Sequence, residues 1–346
     1  MSTNDNDVEV VIITALQKEA DAVVSHFKNV TQEFRKHRSF YRCEIEIDSW
    51  TKPINIIVLP QDKMGNVEAA AATSQAINAW NPQYLLLIGI AGGIKSEGRH
   101  LGDIVVSEQI VNYELGKVKD KEFENRWDVI KGSPLLLNIA NKISYDDWVS
   151  RVLVPRPDGK VNLPKVHIGV VGSGDKVIAN EEFAKFVSSK WSKMAAIEME
   201  SYGVGYAAYK AETSPHFLMV KSLCDWADSS KNDSWQEYCS DVAASYAISL
   251  IKKIPFFKGP RTQAQKKADG PFSHKSKIGL CGRLDDDWED LADYFDIPIK
   301  HRRKFRPGRE CQDIWKWLLQ RGKLDLLPDG LEGIDRDDLL DELIPN

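Results

Sequence analysis

Over the first two-thirds of the chain, apolar runs short enough to be strands alternate with stretches of helical periodicity. Val8 to Thr14 is strand-like throughout and leads into a helical pattern from Gln17 to Phe27. Two further strand candidates, Arg42 to Asp48 and Ile54 to Leu59, precede an alanine-rich helix, Val67 to Trp80. Tyr84 to Ile88 is a short apolar strand that runs into Gly89-Ile90-Ala91-Gly92-Gly93. Gly102 to Ser107 opens on a Gly-Asp turn, and Val166 to Val171 ends in Gly172-Ser173-Gly174-Asp175. Strands separated by helices in this way predict a largely parallel sheet covered on both faces. The predicted first domain is therefore α/β, a three-layer α/β/α unit with a mostly parallel central sheet over residues 1–254. Between Tyr113 and Asp158 only one helical run stands out, Pro134 to Trp148, among many charged and aromatic residues.

Residues 255–275 change to Pro, Gly, Lys, Gln and Ser, the composition of a basic linker. Beyond it, Trp288, Leu291, Ala292 and Phe295 recur at helical spacing, as do Ile314, Trp315, Trp317, Leu318 and Leu319, and then Leu339, Leu340 and Leu343. These predict a small all-α bundle over residues 276–346. Its charges are segregated: Asp285 to Asp296 and Asp325 to Glu342 are acidic, Lys300 to Arg309 densely basic. That asymmetry suits head-to-tail association of like domains, although a solvated bundle surface gives the same pattern.

A chain of 346 residues, 42% hydrophobic and 28% charged, is long enough for one large core plus a small second unit. No stretch approaches the roughly 20 apolar residues of a membrane span. The polar start MSTNDND lacks the basic and apolar regions of a signal peptide, so a cytoplasmic protein is expected. Cys43, Cys224, Cys239, Cys281 and Cys311 are odd in number and scattered without a CxxC pair, which predicts reduced thiols and no metal. The formal charge of -5 gives no reason to expect a nucleic-acid partner.

The chemistry-bearing residues sit at strand ends. Ala196 to Ser201 reads AIEMES and Lys221 to Asp228 reads KSLCDWAD, each after an apolar run. In an α/β sheet the ligand crevice lies outside the carboxyl ends of the strands, where Glu198, Glu200 and Asp225 would converge if the two strands were parallel neighbours. Humbler roles remain open for each. Glu198 and Glu200 fit the acidic first turn of a helix running to Lys210, and Asp225 fits a turn cap.

Together with these two segments, VIITALQKEAD, LLLIGIAGGI, LGDIVVS and VGSGDKVI form a series over residues 8 to 254. The series resembles the successive motifs of the purine nucleoside phosphorylase and nucleosidase superfamily, nearest the methylthioadenosine/S-adenosylhomocysteine nucleosidase branch. The last seventy residues resemble the death-fold-like effector-associated domains of bacterial conflict systems, in which phosphorylase-type domains act as effectors that destroy nucleotides. The resemblance implies cleavage of a purine N-ribosidic bond through an oxocarbenium-like sugar, without a cofactor. By that likeness Asp225 is the general acid placed against purine N7, a role akin to the paired carboxyls of glycoside hydrolysis. Glu200 holds the ribose 2′ and 3′ hydroxyls, Met199 packs beside the sugar, and Glu198 stands one step back. Glu19 matches the carboxylate that positions or deprotonates the attacking water, though alone it reads as a solvated helix residue. Val177 and Ile178 match the segment embracing the purine, with Val177 where the family usually has an aromatic. Ile90, Ala91 and Gly92 complete the substrate wall.

Two departures favour water over phosphate as nucleophile: Leu87 stands where phosphorylases tend to carry arginine, and Ile90 where serine is usual. Lys221 replaces an arginine. Lys63, Lys176 and Lys221 are candidates for a 5′-phosphate chain, or else surface and strand-end lysines. The expected activity is hydrolysis of an adenine nucleotide, ATP or AMP, by a gated effector of bacterial antiphage defence. The expected partners are a small-molecule purine nucleotide or nucleoside, further copies of the chain, and a death-like-domain protein, with no membrane. The alternatives are methylthioadenosine/S-adenosylhomocysteine hydrolysis and a catalytically inactive nucleotide sensor coupled to a signalling bundle.

Overall fold

The computed structural model describes residues 8–35, 38–47, 53–120, 123–160, 163–191, 193–229, 232–256, 272 and 274–343. The expectation for the first seven residues, and most of the linker expected over 255–275, lie outside that range. The chain divides into two compact units, Met1–Ile254 and Pro255–Asn346.

In the first unit the order is β1 (Val8–Thr14), α1 (Gln17–Val24), β2 (Val30–Arg35), β3 (Arg38–Ile45), β4 (Ile54–Pro60), α2 (Asn66–Trp80), β5 (Tyr84–Gly93) and β6 (Ile104–Asn112). Three short strands follow, β7 (Gly116–Val118), β8 (Phe123–Asn125) and β9 (Asp128–Lys131), and then α3 (Pro134–Ala140). The unit closes with β10 (Val166–Ser173), α4 (Glu181–Ser189), β11 (Met194–Glu198), α5 (Ser201–Lys210), β12 (His216–Asp225) and α6 (Gln236–Lys252). The helical run expected to reach Trp148 stops at Ala140 and continues as two single 3₁₀ turns.

Ten strands form one sheet in the order β11-β10-β6-β12-β5-β1-β4-β3-β2, with β9 beside β6. The central pairs β12–β5, β5–β1 and β1–β4 are parallel, as are β6–β10 and β10–β11. All seven residues of β1 are buried, as a strand covered on both faces requires. α6 is buried almost all round, and its alanines and serines let it lie close to the sheet.

Two features of the sheet decide where the site forms. β5 does not end at Ile88 in a glycine loop; it continues in strand conformation through Gly93. Its far end pairs with β12 and also antiparallel with β11, Ile197 opposite Gly92, so β11-β10-β6-β12-β5 closes into a ring. β11 and β12 are thus not neighbours in the sheet. Their carboxyl ends meet because β5 bridges them.

The second unit has helices His274–Arg283, Trp288–Tyr294, Ile299–Arg302, Glu310–Gln320 and Leu327–Glu332. Leu284, Leu291, Ala292, Ile314, Leu318 and Leu331 are at the centre of its core. Cys281 and Cys311, 30 residues apart, stand with Cα atoms 5.3 Å apart and are disulfide-bonded. This corrects the expectation of five reduced thiols: packing of the first and fourth helices brings together two cysteines whose spacing gave no sign of it. Cys43, Cys224 and Cys239 are buried thiols. Among the described residues no helix is long and apolar enough to cross a membrane.

Candidate active site

The carboxyl ends of β5, β11 and β12 surround one cavity, with the loop after β10 and the amino ends of α1 and α6. Asp225, Glu19 and Glu200 all line it. So do Met199, Glu198, Val177, Ile178, Ile90, Ala91, Gly92, Lys221 and Lys176. Lys63 does not: it is exposed, and its neighbour Met64 lines the cavity instead.

Glu19 lies in the first turn of α1, where a solvated acid is the ordinary outcome, yet it is 1% exposed. The reason is backbone need. Its Oε2 accepts from the Ala15 and Leu16 amides, both at 2.8 Å, and its Oε1 accepts from the Ile90 amide at 2.8 Å, tying α1 to the end of β5. Burial pushes its carboxyl up to about 7; Glu200 adds to the rise, while Lys221 and the backbone donors oppose it.

Glu198 spends its oxygens on structure. It accepts from the amides of Glu200 and Ser201 and, at 2.6 Å, from the Ser201 hydroxyl, so it satisfies the exposed donors at the start of α5. Lys221 is fully buried, its Nζ 3.0 Å from Glu198 Oε2 and 2.8 Å from Glu200 Oε2. Burial alone would raise the Glu198 carboxyl, but Lys221 and Ser201 outweigh it and hold the group below its ordinary value. Burial would likewise lower the Lys221 ammonium, and the surrounding carboxylates raise it instead. The Lys221 ammonium is thus already shared by two carboxylates. It is the counter-charge that lets two carboxylates share a buried site. Lys176 is largely exposed and bonds Glu114.

Glu200 sits at the start of α5 and also accepts from the Gly65 amide, at 3.3 Å. Asp225 ends β12. Its Oδ1 accepts from the Ala227 amide at 2.8 Å, so it caps the turn, and the same bond aims the carboxylate at the cavity. Gly92 faces it: a Cβ there would lie 3.0 Å from Asp225 Oδ1. Val177 is 55% exposed and Ile178 is buried.

Among the lining residues Met64 and Gln236 lie outside every motif, while Leu16, Ile197, Cys224 and Ala227 lie within motifs without having been given a role. Gln236 follows a polar stretch and joins the wall only because α6 begins there.

Residues 9–254 match the family model of the Phosphorylase superfamily. The chain belongs to that superfamily. Residues 274–346 match Bacterial Death-like domain 3. The chain is similar to the 5′-methylthioadenosine/S-adenosylhomocysteine nucleosidase of Marinomonas, 26% identical over 57% of this chain and 80% of that enzyme. It is also similar to the ATP nucleosidase Cap17 of Escherichia coli, 25% identical over 70% of this chain. It spans about half the length of some of its relatives, 51% of Cap17 and 53% of the Sinorhizobium fredii protein y4jS. The fold is shared with the Helicobacter pylori 5′-methylthioadenosine/S-adenosylhomocysteine nucleosidase at a TM-score of 0.58, covering 72% of this chain and all of that one at 20% identity.

Proposed function

We propose that the first unit hydrolyses the bond between adenine and ribose in an adenine nucleotide, ATP or AMP, and that the second unit gates this activity in an effector of antiphage defence. The observation that carries the reading is the convergence of Glu19, Glu200 and Asp225 on one cavity. Breaking an N-ribosidic bond needs a proton for the departing base and negative charge near the developing oxocarbenium. Asp225 supplies the proton to N7, Glu200 fixes the ribose hydroxyls, and Glu19 takes the proton of the attacking water.

Hydrolysis rather than phosphorolysis is supported by the fate of the lining cations. Among the described residues Lys221 is committed to Glu198 and Glu200, and Lys176 to Glu114, so neither offers inorganic phosphate an unshared charge. Leu87 is buried in the core of the sheet.

Gating is supported by the likeness of the second unit to a death-like domain and by its segregated charges. A second reading, hydrolysis of methylthioadenosine or S-adenosylhomocysteine, draws support from the apolar lining supplied by Leu16, Met64 and Met199. An inactive sensor would have no use for three converging carboxylates. Adenine release from a panel of adenine nucleosides and nucleotides separates the three.

A further inference from the structure

We propose that Lys18, held by Gln236, forms the specificity-determining rim of the cavity and takes the 5′-phosphate of a nucleoside 5′-phosphate. The inference rests on the adenine-nucleotide reading above and names the part of the site that distinguishes nucleotide from nucleoside.

With the base against Asp225, Val177 and Ile178 and the ribose hydroxyls on Glu200, one substituent of the substrate has no assigned partner, the one at C5′. With Lys176 paired to Glu114, the lining left for it includes Leu16, Met64 and Gln236. Two of these are apolar. Gln236, the first residue of α6, is the polar one, and both ends of its amide are engaged. Its Nε2 donates to Asp233 at 2.5 Å, and its Oε1 accepts from Lys18 Nζ at 2.6 Å. That second bond joins residues 218 apart in sequence and ties an exposed ammonium, itself outside the lining, to a side chain that lines the cavity.

Charge inside the cavity makes this placement necessary for an anionic substrate. Glu198 and Glu200 share the buried Lys221 and leave that cluster with a net negative charge, so a phosphate group is repelled from that part of the interior. It has to lie at the mouth. A methylthio group needs no such partner and rests on Leu16 and Met64 alone. Lys18 therefore separates the two substrate classes: its ammonium has donors to spare beyond the one given to Gln236, and a phosphate there converts a neutral bond into a charge-assisted one.

The test is equilibrium binding of AMP and of adenosine to the full chain carrying Asp225→Asn, which removes the proposed acid, with and without Lys18→Glu and Lys18→Arg. The affinity ratio of AMP to adenosine should fall at least about tenfold with glutamate at position 18 and return with arginine, as loss of one charged hydrogen bond implies. A ratio unmoved by Lys18→Glu, or AMP bound no better than adenosine by the parent protein, overturns the rim as a phosphate contact while leaving the adenine site standing. Failure to bind either ligand refutes the adenine site itself.

Discussion

Glu19 stands where a side chain on residue 89 would have to be: Gly89 faces its carboxylate so closely that a methyl group would overlap it. The next amide along β5, that of Ile90, donates to the same carboxylate. The first glycine of the GIAGG segment is thus the space in which the proposed base is held, within an unbroken strand.

Gly89→Ala should displace Glu19 without unfolding the unit. Overpacking of this kind costs typically about 1–3 kcal/mol, and misplacing a reacting group by about 1 Å costs about 100-fold in rate. Thermal melting and adenine release measured together check both parts. Near-normal turnover in this variant contradicts the role given to Glu19.

The raised Glu19 carboxyl has two consequences with pH. Glu19 must be ionised to accept a proton from water, so turnover should rise with pH through about 7. The folded protein holds this proton more tightly than the unfolded chain, whose carboxyl titrates near 4.5. The resulting stabilisation is complete below about 4.5 and is lost as pH rises through about 7. Glu19→Gln should abolish the rise in rate and flatten that part of the stability profile. A pH-rate profile with no step near 7 argues against Glu19 as base.

Lys221→Met leaves Glu198 and Glu200 buried without their shared counter-charge. Removing one partner of a buried ion pair costs about 3–5 kcal/mol, and denaturant unfolding should show a loss of that size. A loss under about 1 kcal/mol, the range of exposed pairs, would mean that the cluster does not depend on the ammonium.

The basic segment of the second unit is only partly available for association. Arg302 donates to the carbonyls of Ile297 and Ala292 and pairs with Asp293, and Arg306 pairs with Asp313. Those two arginines hold the bundle through polar contacts and are not free for association. Arg303, Lys304 and Lys300 are exposed, and burial together with Arg321, Lys300 and Lys304 holds the His301 imidazole below its usual value, which marks a clustered positive surface. Changing Lys300, Arg303 and Lys304 to glutamate should weaken self-association or docking with retained helicity, and raised salt should weaken the wild type likewise. Unchanged light scattering at low salt would exclude this surface as the contact.

Periodicity made most of the sheet legible, since strands such as β1 and β4 are buried apolar runs with no competing pattern. β2, with its exposed Thr31, Gln32, Phe34 and Arg35, carried no such signal. Glycines suggested a turn after Ile88, but in β5 they mark close approach by Glu19 and Asp225, which only the closed ring reveals. The motifs named the residues gathered in the cavity. They did not show that Lys221 is consumed by two carboxylates, nor that Gln236 reaches the mouth, because both depend on contacts between segments far apart in sequence.

Chromatographic detection of free adenine after incubation with ATP or AMP in phosphate-free buffer, comparing the full chain with its Asp225→Asn variant, bears most directly on the proposed chemistry. Wild type should release adenine together with ribose 5-phosphate or its triphosphate, and the variant should be slower by about 10²–10⁴-fold. Release that requires added phosphate, or a variant as fast as wild type, would contradict hydrolysis with Asp225 as the acid.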